Sequence, residues 1–246
     1  MGATGSMFRG TKPIVLTASL LNSRPDDASS ALHDVATAYP DVICVDYTHP
    51  SSANLNADLY GSTGLSFVMG TTGGDPGAMQ RAMGPDVYAV IAPNMAKQIV
   101  ALQAALEILA TDFPGAFEGY QLKVVESHQS GKADTSGTAK ALVRSFQQMG
   151  VADFSTEDIE KIRDADQSQA RMGVPANHIA GHAFHTYRLT SPDETVSFEF
   201  QHNVCGRRVY AEGTVDAVQF IHQRRRERTV QRSFNMIDVL RQNAKH

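Results

Sequence analysis

Short apolar runs alternate with helical segments between residues 42 and 112, and this alternation constrains the fold more than any other feature. Three runs rich in Val, Ile, Phe and Met are predicted to be strands, at residues 42–45, 65–69 and 87–91. Helical segments follow them, at residues 51–62, 76–83 and 96–112. Nearly continuous apolar strands are typical of a parallel sheet with both faces buried, and parallel strands need crossover connections. The sequence therefore predicts an α/β fold.

Residues suited to ligand contact follow each of these strands. They are Asp46 after the first strand, Gly70, Thr71, Thr72 and Gly73 after the second, and Ala92, Pro93, Asn94 and Met95 after the third. In open parallel sheets, ligands bind outside the carboxyl ends of the strands. Glycine also lets the backbone come close to a ligand. These loops together predict one binding edge.

The stretch from Glu126 to Ala139 carries a second set of chemical groups. A short strand at 122–125 leads into it and a helix follows, so the intervening residues are predicted to be a loop. The loop holds an imidazole at His128, an ammonium at Lys132, and Ser-Gly-Thr at 136–138. The first N–H groups of the helix can bind an anion there. This combination predicts a site for an anionic small molecule that undergoes proton-coupled chemistry.

Two plainer interpretations compete with that prediction. The start of the helix can be ordinary capping by Asp134, Thr135 or Ser136, and a spaced His–Lys pair is common on surfaces. A phosphate-binding P-loop is excluded, however. Ala133 stands where Ser or Thr should follow Gly-Lys, and Glu126 stands where the first glycine should be.

Composition and charge exclude several functional classes. The formal net charge of −4 gives no general attraction to nucleic acid or to an anionic membrane surface, and no apolar run could span a bilayer. The basic run at 224–228 is predicted to be a solvated helix face, because no aromatic residues are interleaved with it. Cys44 and Cys205 are predicted to be buried thiols in a reducing compartment.

Three closely spaced histidines raise the question of a metal site. They are His178, His182 and His185. On a strand, residues 182 and 185 point to opposite faces. We therefore predict no metal and expect these to be polar strand and loop histidines.

The two ends of the chain give weaker patterns. Gly2 and Gly5 form part of a G-x-x-G-x-M turn of the kind that opens a dinucleotide-binding fold, but no strand precedes it and no helix clearly follows. A leader segment is the alternative, and no targeting peptide is recognisable. A strand is predicted at 13–18 and a helix at 29–39. Towards the other end we predict a polar stretch at 155–178, a β-hairpin at 183–204 and helices at 215–224 and 236–240.

Several motifs resemble those of the dihydrodipicolinate reductase family. The resemblance covers most of the chain from about Val42 to Leu240 and centres on Glu126, His128, Lys132, Asp134 and the Ser-Gly-Thr-Ala at 136–139. Gln129, in place of a second histidine, and the lack of a proline before Ser136 resemble the plant branch. Other matching segments are VDYTHP (45–50), FVMGTTGGD (67–75), GHAFH (181–185), SPDETVSFEFQHNVCGR (191–207) and FNMIDVL (234–240).

The resemblance implies a fold and a reaction. The fold is a Rossmann-like nucleotide-binding domain, here N-terminally shortened (residues 1–95 and 215–246), with an α+β substrate-binding and tetramerisation domain containing a mixed sheet (96–214). The reaction is hydride transfer from NADPH or NADH to a cyclic dicarboxylate, giving tetrahydrodipicolinate in the diaminopimelate route to lysine. A homotetramer is implied, in the plastid stroma of a plant or alga and otherwise in the cytoplasm.

The resemblance also implies roles for individual residues. His128 and Lys132 are the catalytic candidates, and Gln129, Ser136, Gly137 and Thr138 the substrate-binding ones. The cofactor-binding candidates are Gly70, Thr71, Thr72, Gly73, Ala92, Pro93, Asn94, Met95, Gly2 and Gly5; Arg207 is a further candidate at the domain junction. The missing first strand predicts weak binding of the cofactor pyrophosphate.

Two alternatives stay open at this stage. A regulatory or assembly protein could retain the reductase scaffold without catalysis, which the shortened front favours and the intact His128 and Lys132 oppose. An unrelated Rossmann-type dehydrogenase would require the motif matches to be coincidental. Titration with the cofactor distinguishes a non-catalytic regulatory or assembly protein from an enzyme.

Overall fold

The computed structural model describes residues 25–243 and builds them around two four-stranded sheets. The first sheet is entirely parallel, in the order β1-β2-β3-β8. Its strands are β1 (Ile43–Asp46), β2 (Ser66–Met69), β3 (Ala89–Ile91) and β8 (Ser233–Phe234). The helices around it are α1 (Pro25–Ala38), α2 (Ala53–Ser62), α3 (Pro76–Ala82), α4 (Lys97–Asp112), α7 (Val209–Glu227) and α8 (Met236–Asn243).

Helices cover both faces of this parallel sheet. Phe67 and Met69 of β2 pack in one apolar cluster with Leu32 of α1 and Tyr60 of α2. Val68, which points to the other face, packs with residues of α4, α7 and α8. The prediction of a doubly covered parallel sheet is therefore confirmed, with strand ends within one or two residues of those expected.

The second sheet is mixed and carries the predicted hairpin. Its order is β5-β4-β6-β7, with β5 parallel to β4 and the other pairs antiparallel. Its strands are β4 (Gln121–His128), β5 (Glu160–Ile162), β6 (His182–Thr190) and β7 (Ser197–Cys205). Helix α5 (Gly137–Gln148) covers one face, where Leu142 and Phe146 pack against Val124 and Tyr187.

Several sequence-based boundaries are wrong, each for a physical reason. The predicted loop after residue 125 begins only after His128, because Glu126 and His128 pair with His185 and Ala183 in the β4–β6 ladder. The polar stretch at 155–178 contains β5 and the helix α6 (Ala165–Met172), whose polar residues hid their periodicity. Helix α7 is longer at both ends than the predicted 215–224, and α8 extends beyond 236–240.

Other predictions have mixed outcomes. The cysteines are unpaired, but neither is fully buried: Cys44 is half-buried, and Cys205 at the end of the outer strand β7 is exposed. Within residues 25–243, no helix is long and apolar enough to cross a membrane. Gly2, Gly5 and the predicted strand at 13–18 lie outside the described residues.

One close backbone contact links the end of the parallel sheet to α7. A Cβ atom added at Gly213 would lie 1.9 Å from the carbonyl oxygen of Met95. Glycine in a helix interior normally weakens the helix relative to alanine. Here its missing side chain lets α7 lie directly on the loop that follows β3.

A buried carboxylate organises the carboxyl edge of the parallel sheet. Asp46, at the end of β1, is 1% exposed and accepts hydrogen bonds from Thr48, Asn56, Tyr60 and Thr71. Burial alone would raise the pKa of the Asp46 carboxyl, but the hydrogen bonds outweigh it and lower the pKa. The carboxylate thus ties the loops after β1 and β2 to α2.

We predict that Asp46→Ala lowers the free energy of unfolding by about 3 kcal/mol, because several buried donors lose their acceptor. Urea denaturation measures the change. Asp41→Ala is the matched control, since Asp41 is exposed just before β1. Equal midpoints for the two variants would contradict the organising role of Asp46.

Candidate active site

A cavity of about 660 Å³ lies where the loops after β2 and β3 meet the end of β4 and the start of α5. The predicted site residues that line it are Gly70, Thr72, Pro93, Asn94, Met95, His128, Gln129, Lys132, Ser136, Gly137 and Thr138. The sequence motifs from both sheets therefore converge on one space. Arg207 also lines it, as do residues that were not predicted: Tyr47, His182, His185, His202 and Tyr210.

Among the predicted cofactor residues within 25–243, three do not line this cavity. The hydroxyl of Thr71 donates to Asp46 over 2.5 Å. Gly73 has a positive φ of 87° and lies against Pro50, and Ala92 is buried with 3% exposure. These residues shape the loops rather than the cavity surface.

At the start of α5, backbone N–H groups remain available as hydrogen-bond donors. Ser136 is the N-cap, and its hydroxyl accepts a hydrogen bond from the N–H of Ala139 over 3.4 Å. The N–H groups of Gly137 and Thr138 belong to the first turn, where no carbonyl within the helix can accept from them. With the helix dipole behind them, these groups favour an anion.

Asn94 connects this helix start to the parallel sheet. Its side-chain amide donates to the hydroxyl of Thr138 over 2.9 Å and accepts from the N–H of Ala96 over 2.8 Å. The loop after β3 and the first turn of α5 are therefore held in register. The Asn94 side chain has a positioning role in this arrangement.

A buried ion pair holds the loop between β4 and α5. Glu126 is fully buried, and its two carboxylate oxygens accept from Arg163 over 2.5 Å and from the N–H of Ser136 over 3.0 Å. Arg163 also donates to the carbonyl oxygens of Lys132 and Asp134 over 2.7 Å and 3.1 Å. Arg163 was missed in the sequence because it lies in the polar stretch. A glutamate within an apolar strand was the available signal, since a buried carboxylate needs a cationic partner.

Lys132 presents its ammonium group at the edge of the cavity. Its Nζ atom lies 2.7 Å from Oδ1 of Asp134. Partial burial raises the pKa of the Asp134 carboxyl, but the hydrogen bond and charge of Lys132 lower it further than burial raises it. The pair is partly exposed, so the lysine can exchange this partner for a bound anion at small cost.

His128 belongs to a buried cluster of aromatic rings. Its Nε2 lies 3.2 Å from Nε2 of His185, and the His185 ring stacks on His202 with centroids 4.4 Å apart. Burial, followed by the charges of Lys132 and Arg163, lowers the pKa of His128 to about 3. Burial lowers the pKa of His202 to about 4 and that of His185 well below its usual value. The cluster is therefore neutral at neutral pH.

The three histidines considered in the sequence do not act as one group. His182 bonds Ser127 over 2.7 Å, whereas His185 contacts His128, so the predicted opposite orientations are confirmed. His185 is nevertheless more than a polar strand residue. One ligand atom each from Glu126, His128 and His185 lie within 4.8 Å of one another. We assign no metal to them, because both carboxylate oxygens of Glu126 already accept hydrogen bonds, from Arg163 and from the N–H of Ser136. The positive charge of the Arg163 guanidinium also repels a further cation.

The neutral histidines predict acid sensitivity. A histidine with a lowered pKa in the folded state binds fewer protons than in the unfolded chain. Its stabilising effect is complete above about pH 6.5 and is lost as the pH falls towards the folded values of about 3 to 4. We expect the free energy of unfolding, measured by urea denaturation, to fall between about pH 7 and pH 5, by up to about 1.4 kcal/mol per pH unit for each such histidine.

Two variants test the origin of this pH slope, which is the change in the free energy of unfolding per pH unit. His202→Gln should reduce it, because one half-buried titrating ring of the cluster is removed. His33→Gln, at an exposed position on α1, should keep the slope of the unmodified protein. Identical slopes in all three proteins would show that the buried cluster is not responsible.

A parallel sheet, a mixed sheet and a shared cavity with an imidazole, an ammonium and helix N–H donors define an α/β protein with a cavity suited to a small anion. Family models described as dihydrodipicolinate reductase match residues 18–95 (N-terminus) and 98–240 (C-terminus). The chain belongs to the dihydrodipicolinate reductase family, as its motifs predicted. The alternative of an unrelated dehydrogenase is therefore wrong.

Relatives support the resemblance to the plant branch. The chain is 55% identical over 219 residues to 4-hydroxy-tetrahydrodipicolinate reductase 1, chloroplastic, of Arabidopsis thaliana, covering 89% of this chain and 63% of that protein. It is 53% identical over 221 residues to probable 4-hydroxy-tetrahydrodipicolinate reductase 2, chloroplastic, of Oryza sativa subsp. japonica, covering 89% and 68%. The Nitrosomonas europaea enzyme is 29% identical over 237 residues, covering 90% and 81%. The chain thus spans less than two thirds of the Arabidopsis relative.

A solved structure has a similar fold. It is described as dipicolinate-bound dihydrodipicolinate reductase from Paenisporosarcina sp. TG-14, with a TM-score of 0.50 and 17% identity, covering 83% of this chain and 75% of that one. At this identity the likeness concerns the fold alone. It agrees with the pairing of a Rossmann-like sheet and a mixed sheet.

Proposed function

We propose that this chain is a 4-hydroxy-tetrahydrodipicolinate reductase that uses NADPH or NADH in the diaminopimelate route to lysine. The observation that carries the proposal is the shared cavity, where His128, Lys132 and the start of α5 lie opposite the loops after β2 and β3. The names of the plant relatives support the same activity.

The substrate we propose is a small cyclic dicarboxylate. One carboxylate accepts from the N–H groups of Gly137 and Thr138 and from the Ser136 hydroxyl, at the positive end of the α5 dipole. Lys132, with help from Gln129, binds the remaining negative charge. The dipicolinate named with the Paenisporosarcina reductase is a planar dicarboxylate of this kind, which supports the assignment.

His128 and Lys132 have different roles: His128 transfers a proton, and Lys132 stabilises negative charge. Ring reduction adds a hydride and then requires a proton. In the protein without ligand, burial and nearby cations keep His128 neutral. A dianion bound beside it offsets those cations and raises the pKa of the imidazole, so that His128 takes up a proton only when substrate is present. Lys132 stabilises the developing negative charge, and it is also the second candidate for the proton donor.

The cofactor side is proposed from the carboxyl edge of the parallel sheet. In doubly wound folds nucleotides bind at this edge. Gly70 and Pro93 to Met95 line the cavity there, and the Tyr47 ring packs against Gly70, only 2.3 Å from where a Cβ atom would lie. These features fit a flat nicotinamide ring, which supplies the hydride when bound.

Assembly, domain division and location are further parts of the proposal. Residues 1–95 and 215–246 form the nucleotide-binding domain, and residues 96–214 bind substrate and mediate a homotetramer through the mixed sheet. The chloroplastic names of the plant relatives support the plastid stroma as the location.

We predict that Lys132→Ala weakens binding of pyridine-2,6-dicarboxylate roughly tenfold or more, because a charged hydrogen bond to the ligand is lost. Isothermal titration calorimetry without cofactor measures the effect. Lys123→Ala is the control, since Lys123 is exposed on β4, the strand before the loop that carries Lys132, and does not line the cavity. Equal weakening in both variants would remove Lys132 from the site.

The activity itself is tested by oxidation of NADPH or NADH in the presence of enzymatically generated 4-hydroxy-tetrahydrodipicolinate. We expect turnover that falls by about 10² to 10⁴-fold in His128→Gln, as is typical when a positioned acid is lost. Glutamine is chosen because His128 is buried in a strand, where truncation to alanine would also destabilise the fold. Dicarboxylate binding without turnover would favour a non-catalytic relative.

A further inference from the structure

Among residues 25–243, the side-chain hydrogen bond of His185 is made to the proposed proton donor, His128. His185 is 2% exposed, and its Nε2 lies 3.2 Å from Nε2 of His128. The other ring nitrogen, Nδ1, is buried and has no hydrogen-bond partner within residues 25–243. One nitrogen of His185 is thus committed to His128 while the other is left unpaired, at an energetic cost.

Neighbouring rings fix the His185 side chain in this orientation. His202, its partner across the β6–β7 pair, stacks on it with the planes inclined by 26°. His128 meets it edge to face, with centroids 4.9 Å apart and planes inclined by 75°. The hydroxyl of Tyr187 in turn holds His202 over 3.3 Å. The His185 ring therefore has little freedom to leave His128.

An imidazole pair at this distance must share one proton in an N–H···N hydrogen bond. In the neutral pair, either ring can be the donor, because each imidazole has one protonated nitrogen. When His128 gains a second proton, its Nε2–H becomes the donor and His185 must accept. Transfer of the other proton, from Nδ1 of His128 to a ligand, returns the pair to its neutral state. The electron pair of the new bond comes from the ligand atom.

Charges around the pair oppose a second proton unless it is stabilised. The ionisable groups near the two rings are Glu126, Lys132, Asp134, Arg163, His182, Tyr187 and His202. Glu126 lies 3.8 Å from Nε2 of His185 but is neutralised by Arg163. A hydrogen-bond acceptor for the charged His128 ring is therefore needed within the cluster.

We propose that His185 is a positioning residue for the reduction: it orients the His128 ring and accepts its Nε2–H when His128 carries the proton destined for the substrate. This inference rests on the proposed function for its place in catalysis. The sharing of a proton within the pair can be measured without turnover.

The direct test counts the protons taken up when pyridine-2,6-dicarboxylate binds. Calorimetric titrations at neutral pH in buffers of different ionisation enthalpy give this number. The unmodified protein should take up a substantial fraction of one proton, and His128→Gln should take up almost none. His185→Met, which keeps side-chain bulk but lacks a suitable acceptor, should take up much less than the unmodified protein. His185→Gln should retain most of the uptake, because an amide can either donate or accept.

Kinetics provide the second readout. In His185→Met, kcat at neutral pH should fall roughly tenfold or more, with KM within about twofold, as is typical for the loss of a partner that orients a reacting group. The high-pH limb of kcat should move to lower pH, because a less stabilised His128 releases its proton sooner. His185→Gln should restore kcat without a titrating group at this position.

Three results would overturn the inference. They are no proton uptake in the unmodified protein, equal uptake in His185→Met and the unmodified protein, or equal losses in the Met and Gln variants. Thermal melting shows whether each variant is folded. Failure of the proposed function has a different signature, because proton uptake on dicarboxylate binding would then occur without any oxidation of NADPH or NADH.

Discussion

The arrangement of the site depends on the buried carboxylate of Glu126. One oxygen accepts from Arg163, beyond β5, and the other from the backbone of Ser136, at the start of α5. A buried carboxylate without such partners would be strongly destabilising, so the chain can bury β4 only when the following loop closes around it. Arg163 extends the effect by holding two carbonyl oxygens of that loop. The positions of Lys132 and of the α5 donors follow from this one interaction.

The two sheets contribute complementary parts of one cavity. The parallel sheet supplies the loops after its strands, and Asp46 keeps those after β1 and β2 in place with hydrogen bonds from four side chains. The mixed sheet supplies titratable groups on rigid strands. Asn94 joins the two through Thr138. A ligand that contacts both sides therefore meets a preorganised surface, which reduces the entropy lost on binding.

Local sequence patterns identified most of the secondary structure. The partners of the site residues lie far away in the sequence, and local patterns did not identify them. The apolar runs and the alternating hairpin identified most strands, and His128 and Lys132 were found because their types and spacing have chemical meaning. Arg163 lies 37 positions from Glu126, and His185 lies 57 from His128. Periodicity within a window cannot reveal such pairs. The short strand β5 was also hidden, because Glu160 and Lys161 precede its single buried isoleucine.

The backbone contact between Gly213 and Met95 has a consequence for motion. Because no side chain separates α7 from the loop after β3, nothing between them can deform to absorb a displacement. A displacement of the loop on this side of the cavity is therefore passed directly to α7 (Val209–Glu227) at this point.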